Sequence, residues 1–302
     1  MPEIRNLRHP SLTQSLRIPV SYLDHVIVCN RHDLSHYVPF EAGGTQIGWA
    51  RPDLAHALSR YPDVFELGQN ALRLADRYGD FAQRSAAIAR VLPAIESAGL
   101  VPRLRGEMFA AAVAFDAPPL FEIDRSAVPP FGIQAYGVHI NGFVRRPRGR
   151  ADLWIGRRSP TAPICPNELD NLVAGGLAIG MSVIETLVKE CHEEASVPEA
   201  LARAATPVST IRYSMKTDWG LRRDTLFCYD LELPDDFTPV NTDGEVVEFR
   251  RLPAEEVKAI VRDTFRFKFN CNLVVMDFLI RHGLLTDAEA DVGALRKGMG
   301  QR

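Results

Sequence analysis

No run of apolar residues in this 302-residue sequence is long enough to span a bilayer, which takes about 20. There is no internal repeat and no low-complexity tract. The five cysteines (Cys29, Cys165, Cys191, Cys228 and Cys271) are odd in number, widely spread and include no Cys-x-x-Cys pair. That pattern argues against a disulfide framework or a cysteine zinc site; it reads as reduced thiols in a cytosolic protein. A basic excess is missing as well. The 35 lysines and arginines face 38 aspartates and glutamates, a net charge of −3, so a nucleic-acid backbone is not the expected partner. The opening Met1-Pro2-Glu3-Ile4-Arg5-Asn6 has no apolar core followed by a small-residue cleavage site, so no secretory leader is expected.

What is present is a globular composition, with 46% hydrophobic and 24% charged residues, in a chain longer than one typical domain. Val20–Cys29 carries an apolar run suited to a strand or a short helix. Val38–Trp49 reads as a hairpin around Ala42-Gly43-Gly44, Asp53 as the N-cap of a helix over Leu54–Tyr61, and Asn70–Ala98 as one long helix. Proline is densest between residues 116 and 131, where a domain boundary is expected. Beyond it, Tyr136–Val144, Leu153–Arg158, Thr206–Tyr213, Thr225–Leu233 and Val246–Leu252 have strand character. Asn270–Arg281 reads as a final apolar helix ending at Gly283. The division that results is an α/β unit over 1–125, a second domain over 126–285 with helices on both sides of a mixed sheet, and a tail over 286–302. The basic turn Arg145–Arg150 lacks interleaved aromatics and reads as a solvated hairpin loop.

The stretch Gly175–Val197 carries the chemistry. Ser182 and Glu185 have the spacing of a capping box, so a helix is expected from about Ser182. On it Glu190, Glu193 and Glu194 occupy positions i, i+3 and i+4 and share one face. Three crowded carboxylates repel one another unless a cation sits among them. Oxygen ligands on a rigid helix suit Mg²⁺ or Mn²⁺, and the glycine loop Gly175-Gly176 before it lets backbone approach metal and phosphate closely. His192, between the faces, reads as a surface residue.

This stretch resembles the Nudix signature: a glycine, five residues, a glutamate, seven residues, then Arg-Glu-hydrophobic-x-Glu-Glu-x-Gly-hydrophobic. Gly175, Glu190, Cys191, Glu193, Glu194 and Val197 match in register. Met181 stands in place of the first glutamate, Lys189 of the arginine and Ser196 of the late glycine. Further segments, among them Gly48–Asp53, Tyr61–Phe65, Gly220–Leu233, Asp243–Arg250 and Asn270–Gly283, resemble one Nudix subgroup. Its members carry an extra N-terminal domain and are related to the Nudix part of fungal thiamine pyrophosphokinase fusions.

The resemblance implies an α/β/α sandwich and a Mg²⁺- or Mn²⁺-dependent hydrolase of a small diphosphate. Oxidised or damaged thiamine diphosphate, cleaved to the monophosphate, is the leading substrate. A broader nucleoside-diphosphate-X hydrolase and a catalytically weak ligand-binding domain stay open beside it. The implied metal ligands are Glu190, Glu194 and Glu193, with the backbone carbonyl of Ala174 or Gly175. Glu190 and Glu193 are counted with the catalytic residues, and Asp243 and Glu245 are the candidates for general base. Arg212, Arg222 and Arg223 are candidate diphosphate clamps. Among the aromatics, Trp219 is preferred over Phe40, Trp49 and Tyr213 for contact with the substrate ring. By analogy with paired Nudix enzymes, a homodimer is expected.

Overall fold

The computed structural model describes residues 20–301; Met1–Asn6, read above for a leader, and the rest of residues 1–19 lie outside the described residues. Helix α1 (Tyr22–Cys29) comes first, its N-terminus closed by a capping box between Ser21 and Asp24. Strands β1 (Val38–Ala42) and β2 (Thr45–Ala50) form the expected hairpin, Gly43 and Gly44 taking the left-handed φ of +57° and +73° that its two-residue turn requires. Helix α2 (Pro52–Leu58) starts earlier than a cap at Asp53 would allow. Pro52 takes the first helical position, and Asp53 pairs with Arg51 at 2.6 Å instead of capping.

The stretch Asn70–Ala98 is not one helix. Strand β3 (Phe65–Leu67) pairs with β4 (Leu72–Leu74), which also runs parallel to β1; helix α3 (Phe81–Ser97) begins only where Asp80 accepts a hydrogen bond from Gln83 N. Leu72 and Leu74 alternate with an exposed Arg73, which is the strand period, and the cap at Asp80 separates them from the helix. The hairpin of β5 (Met108–Ala111) and β6 (Phe121–Asp124) follows, then the short α4 (Val128–Phe131). Phe40, Phe65, Phe121 and Phe131 centre the first core, which continues through the proline-rich stretch to Ile133.

A second sheet is built from β7 (Gln134–Arg145), β8 (Ala151–Arg158), β9 (Leu169–Asp170) and β10 (Val173–Gly176). After helices α5 (Val183–Ala195) and α6 (Glu199–Ala202) it gains β11 (Thr206–Thr217), β12 (Gly220–Glu232) and β13 (Val246–Pro253). The main order is β11-β12-β7-β8-β13, with β10 on β7 and β9 on β8. Only β12 and β7 run parallel within it, so the sheet is mixed. One face packs on α5, through Val138, Ile140, Leu187 and Cys191. The other packs on α7 (Ala254–Asp263) and α8 (Cys271–Arg281), giving the expected sandwich.

Residues 286–302, read as a tail, carry helix α9 (Val292–Gly298), and its Leu295 lies with Met299 in the same core as Tyr22 and Val26 of α1. Both ends of the described chain therefore close over α8. The basic turn is tied down by Arg145–Glu232 at 2.9 Å and Arg146–Asp152 at 2.7 Å. Among the described residues no helix is long and apolar enough to cross a membrane.

Candidate metal and diphosphate site

Helix α5 starts where the sequence places it. Ser182 N donates to Glu185 Oε2 at 2.8 Å and Glu185 N donates back to Ser182 Oγ at 3.3 Å. Leu187, Cys191 and Ala195 are buried against the sheet, which turns the glutamates toward β10 and its glycines. Gly175 lies directly against Glu190: a Cβ there would come within 2.8 Å of Glu190 Oε1 and would overlap its Cγ and Cδ. Glu194 is buried and accepts a hydrogen bond from Ala174 N at 2.9 Å. Burial raises the pKa of both carboxyls. Lys189 partly offsets this at Glu190; at Glu194 the charges of Asp170, Glu190 and Glu245 push further upward against the Ala174 N–H. Glu193 is more exposed, and Lys189 Nζ stands between it and Glu190 at 2.6 and 3.1 Å.

The three glutamates therefore share a face without converging on one point. Among the described residues, the ligand-type atoms that do gather within 4.8 Å are those of His139, Asp170 and Cys271, on the opposite face of the sheet. That cluster already has its cations, since Arg158 and Lys268 reach Asp170 at 2.8 and 3.5 Å. The helix site is different. A buried carboxylate with one backbone donor, and a second held in a cradle that only glycine leaves open, are hard oxygen donors whose charge a divalent cation would neutralise.

The loop Val240–Glu245 is fastened across the C-terminal end of α5. Val240 N donates to Ala195 O, Asn241 Nδ2 to Glu194 O, and Thr242 N and Oγ1 to Glu193 O. Ser196, at φ +52°, donates from Oγ to Val240 O at 2.7 Å. A left-handed residue ends the helix there, the conformation for which the signature uses glycine. Asp243 is taken up by its own turn, accepting from Asn241 Nδ2 and Glu245 N. Glu245 is exposed, and its charge is felt at Glu194 and Arg105.

The first domain reaches this site. Ile179 N donates to Met108 O at 2.8 Å, tying the glycine loop to β5. A Cβ on Gly176 would meet the Phe109 ring at 2.6 Å and Arg125 Cζ at 3.5 Å. Arg125 pairs with Glu107 at 2.8 Å, lies over Phe109, and its charge reaches Glu190. Nothing in the spacing of Arg125 marks it, because Gly176 and Glu190 lie about 50 or more residues further along the chain and are brought to it only by the fold.

The expected clamps divide. Arg212 and Arg223 share the sheet face that carries α5, Arg212 opposite Thr225 on β12. Arg222 is corrected: it points to the other face, where it pairs with Asp224 at 3.1 Å and lies over Phe269. One residue along a strand reverses the side. Tyr213 is buried there too, hydrogen-bonded to Asp224, and Phe40 is in the first core. Trp219 sits in the tight turn between β11 and β12, its carbonyl accepting from Arg51 at 3.2 Å.

A family model described as the NUDIX domain matches residues 135–272, and one described as a domain of unknown function, DUF4743, matches residues 21–135. Nudix hydrolase 24, chloroplastic, of Arabidopsis thaliana is 39% identical over 284 residues, spanning 93% of this chain and 78% of the relative. The chain belongs to the Nudix hydrolase family and is a Nudix-type pyrophosphohydrolase. Nudix hydrolase 20, chloroplastic, of the same plant is also 39% identical, over 269 residues, 85% of this chain and 71% of its own. Among solved structures, a Deinococcus radiodurans protein aligns at TM-score 0.41 and 23% identity over 56% of this chain and 98% of its own. The cytosolic placement is corrected by the two plant relatives, both chloroplastic by name. Unpaired cysteines mark a reducing environment, and that is not a property of one compartment.

Proposed function

We propose that this enzyme hydrolyses a small organic diphosphate, with oxidised or damaged thiamine diphosphate, cleaved to the monophosphate, as its foremost substrate. The observation that carries the diphosphate reading is the seat of Glu190 under Gly175 beside the buried Glu194. The thiamine-type substrate is supported by the subgroup resemblance of the segments around the signature, including the thiamine pyrophosphokinase-fusion relation.

In this reading Glu190 and Glu194 are the main ligands of a divalent cation, Mg²⁺ or Mn²⁺, and Glu193 a further or water-mediated one. When bound, such a cation neutralises charge on the diphosphate and acidifies the attacking water. Gly175 and Gly176 leave room for phosphate oxygens against the backbone. Glu245, exposed on a loop anchored to α5, accepts the proton of the water. Arg125, beside Gly176, balances negative charge on the phosphates together with Arg212. The partner is the small diphosphate itself, and two chains associate by analogy with the family, which light scattering would read.

The test is metal-dependent monophosphate release across a panel of oxidised thiamine diphosphate, intact thiamine diphosphate, nucleotide sugars and dinucleotides at equal concentration. The expected outcome is the highest kcat/KM on the oxidised thiamine compound and a loss of at least about 100-fold in Glu194→Gln with the fold intact. A tenfold preference for a nucleotide substrate would refute the thiamine assignment. Undiminished activity in Glu194→Gln would refute the site. Thermal stabilisation by metal with no release from any substrate would reduce the protein to a binding domain.

A further inference from the structure

Phe115, in the loop between β5 and β6, is 41% exposed, yet its ring is not isolated. Its centroid lies 5.1 Å from that of Tyr136 and 4.7 Å from that of Phe227, and those two rings are 6.3 Å apart with their planes 15° from parallel. Tyr136 and Phe227 belong to β7 and β12, and Phe227 pairs in register with Val138, which packs on α5. The three rings therefore lie on the α5 face of the sheet. They are close to the glycine loop: Gly137 is opposite Gly176, and the Tyr136 carbonyl accepts from Leu177 N at 2.9 Å. The aromatic patch begins one residue along the strand from the loop, a rise of about 3.4 Å.

The same face carries Arg223 and Arg212. Arg223 Nη1 donates to Gly132 O at 3.3 Å, and among the described residues neither guanidinium is paired with a carboxylate. Burial raises the pKa of the Tyr136 hydroxyl; Arg223 and Arg212 draw it down and Asp116 pushes it up, so all three charges act on one spot. Two cations face one exposed carboxylate. Ring faces attract cations through a quadrupole, whose field dies away faster with distance than that of a full charge. At this rim the guanidiniums set the preference.

We propose that Phe115, Tyr136 and Phe227 form the subsite for the organic group of the diphosphate substrate, and that Arg223 and Arg212 make it select planar rings without positive charge. The proposal rests on the diphosphohydrolase reading above and deepens it. It assigns the first domain a direct part in recognition, since Phe115 packs on two rings carried by strands of the second domain. It also supplies a basis for separating intact thiamine diphosphate, with its cationic thiazolium, from oxidised forms that have lost that charge.

The test is calorimetric binding, to the full-length protein with Mg²⁺, of three methylene-bridged diphosphate analogues that cannot be hydrolysed at the bridge. They carry a benzyl, a cyclohexylmethyl and an N-methylpyridiniumylmethyl group, so they differ in planarity and charge at similar size. The benzyl compound should bind roughly tenfold or more tightly than the cyclohexylmethyl one. It should also bind several-fold more tightly than the cationic ring. Phe115→Ala, with its fold checked by a thermal melt, should abolish the benzyl preference and leave cyclohexylmethyl binding within about twofold. Arg223→Met should strengthen binding of the cationic ring relative to benzyl. Equal binding of benzyl and cyclohexylmethyl, or a benzyl preference that persists in Phe115→Ala, overturns the ring subsite while the diphosphate reading stands. No binding of any of the three overturns both.

Discussion

Gly175 and Glu190 occupy touching positions on β10 and α5, and any side chain at 175 would displace the carboxylate: its Cβ would lie 2.8 Å from Glu190 Oε1 and inside the contact distance of the carbons behind it. The glycine is thus a part of the site through what it leaves out. Gly175→Ala is expected to lower kcat/KM by about 100-fold, the scale on which a displacement near 1 Å acts on chemistry. Because the Glu190 side chain can swing outward, the melting temperature should fall far less than a core overpacking would cause. Steady-state kinetics beside a thermal melt separates the two, and an alanine variant with wild-type kcat/KM would contradict the contact.

Arg222 gives the opposite pattern. Its guanidinium reaches Asp224, which also accepts the Tyr213 hydroxyl, on the face away from α5. Arg222→Met leaves Asp224 enclosed without its cation, which should cost about 3–5 kcal/mol of stability. Denaturant unfolding would report this, and the turnover of the molecules that remain folded should match the wild type. A selective rise in KM with unchanged stability would restore Arg222 to the diphosphate clamp.

At Ser196 two small effects oppose each other. The left-handed φ of +52° favours glycine by about 1 kcal/mol, while the Ser196 Oγ bond to Val240 O contributes a similar amount. Ser196→Gly should therefore stay within about 1 kcal/mol of the wild type. Ser196→Ala keeps the strain and loses the bond, so it should be the least stable of the three. An alanine variant as stable as the glycine one would show that the bond to the 240–245 loop contributes nothing.

His139 makes stability pH-dependent. Burial, with the charge of Lys268, lowers its pKa to about 4, against the opposing pull of Asp170. A histidine whose folded pKa is depressed adds stability that is complete above its unfolded value, about 6.5, and is lost as pH falls toward 4. The loss should approach about 3 kcal/mol across that window. Unfolding free energies at pH 7 and pH 4.5 should differ accordingly, and His139→Asn should shrink the difference. Glu190 and Glu194, whose raised pKa values act in the opposite direction over the same window, are common to both proteins, so an unchanged difference in His139→Asn would contradict a neutral buried His139. Asp170 belongs to the same cluster but acts lower on the scale: burial opposes its ionisation, and Lys268 and Arg158 outweigh it, holding the carboxyl far below its usual range.

Much of the site could be read along the chain because its signals are local. The Ser182–Glu185 cap, the i, i+3, i+4 glutamates and the glycines before them all fall within 23 consecutive residues, and helix geometry turns such spacing directly into a shared face. The long helix over Asn70–Ala98 failed for the same locality: Leu72 and Leu74 fit two periodicities, and only pairing with β1 and β3 chose the strand. The expected role of Arg222 went astray at the next level, since the face of a strand follows from its register with neighbours that sequence does not name.

The sequence by itself determined that this is a Nudix chain with three carboxylates on the helix after a glycine loop, because those features are set by spacing within one element. The tertiary structure decided that Glu190 nests on Gly175, that the 240–245 loop is pinned over the end of α5, and that Arg125 and Phe115 of the first domain stand beside the second domain's site. Each of these joins residues far apart in the chain, and such contacts exist only once the two cores have packed and the strands have taken their register.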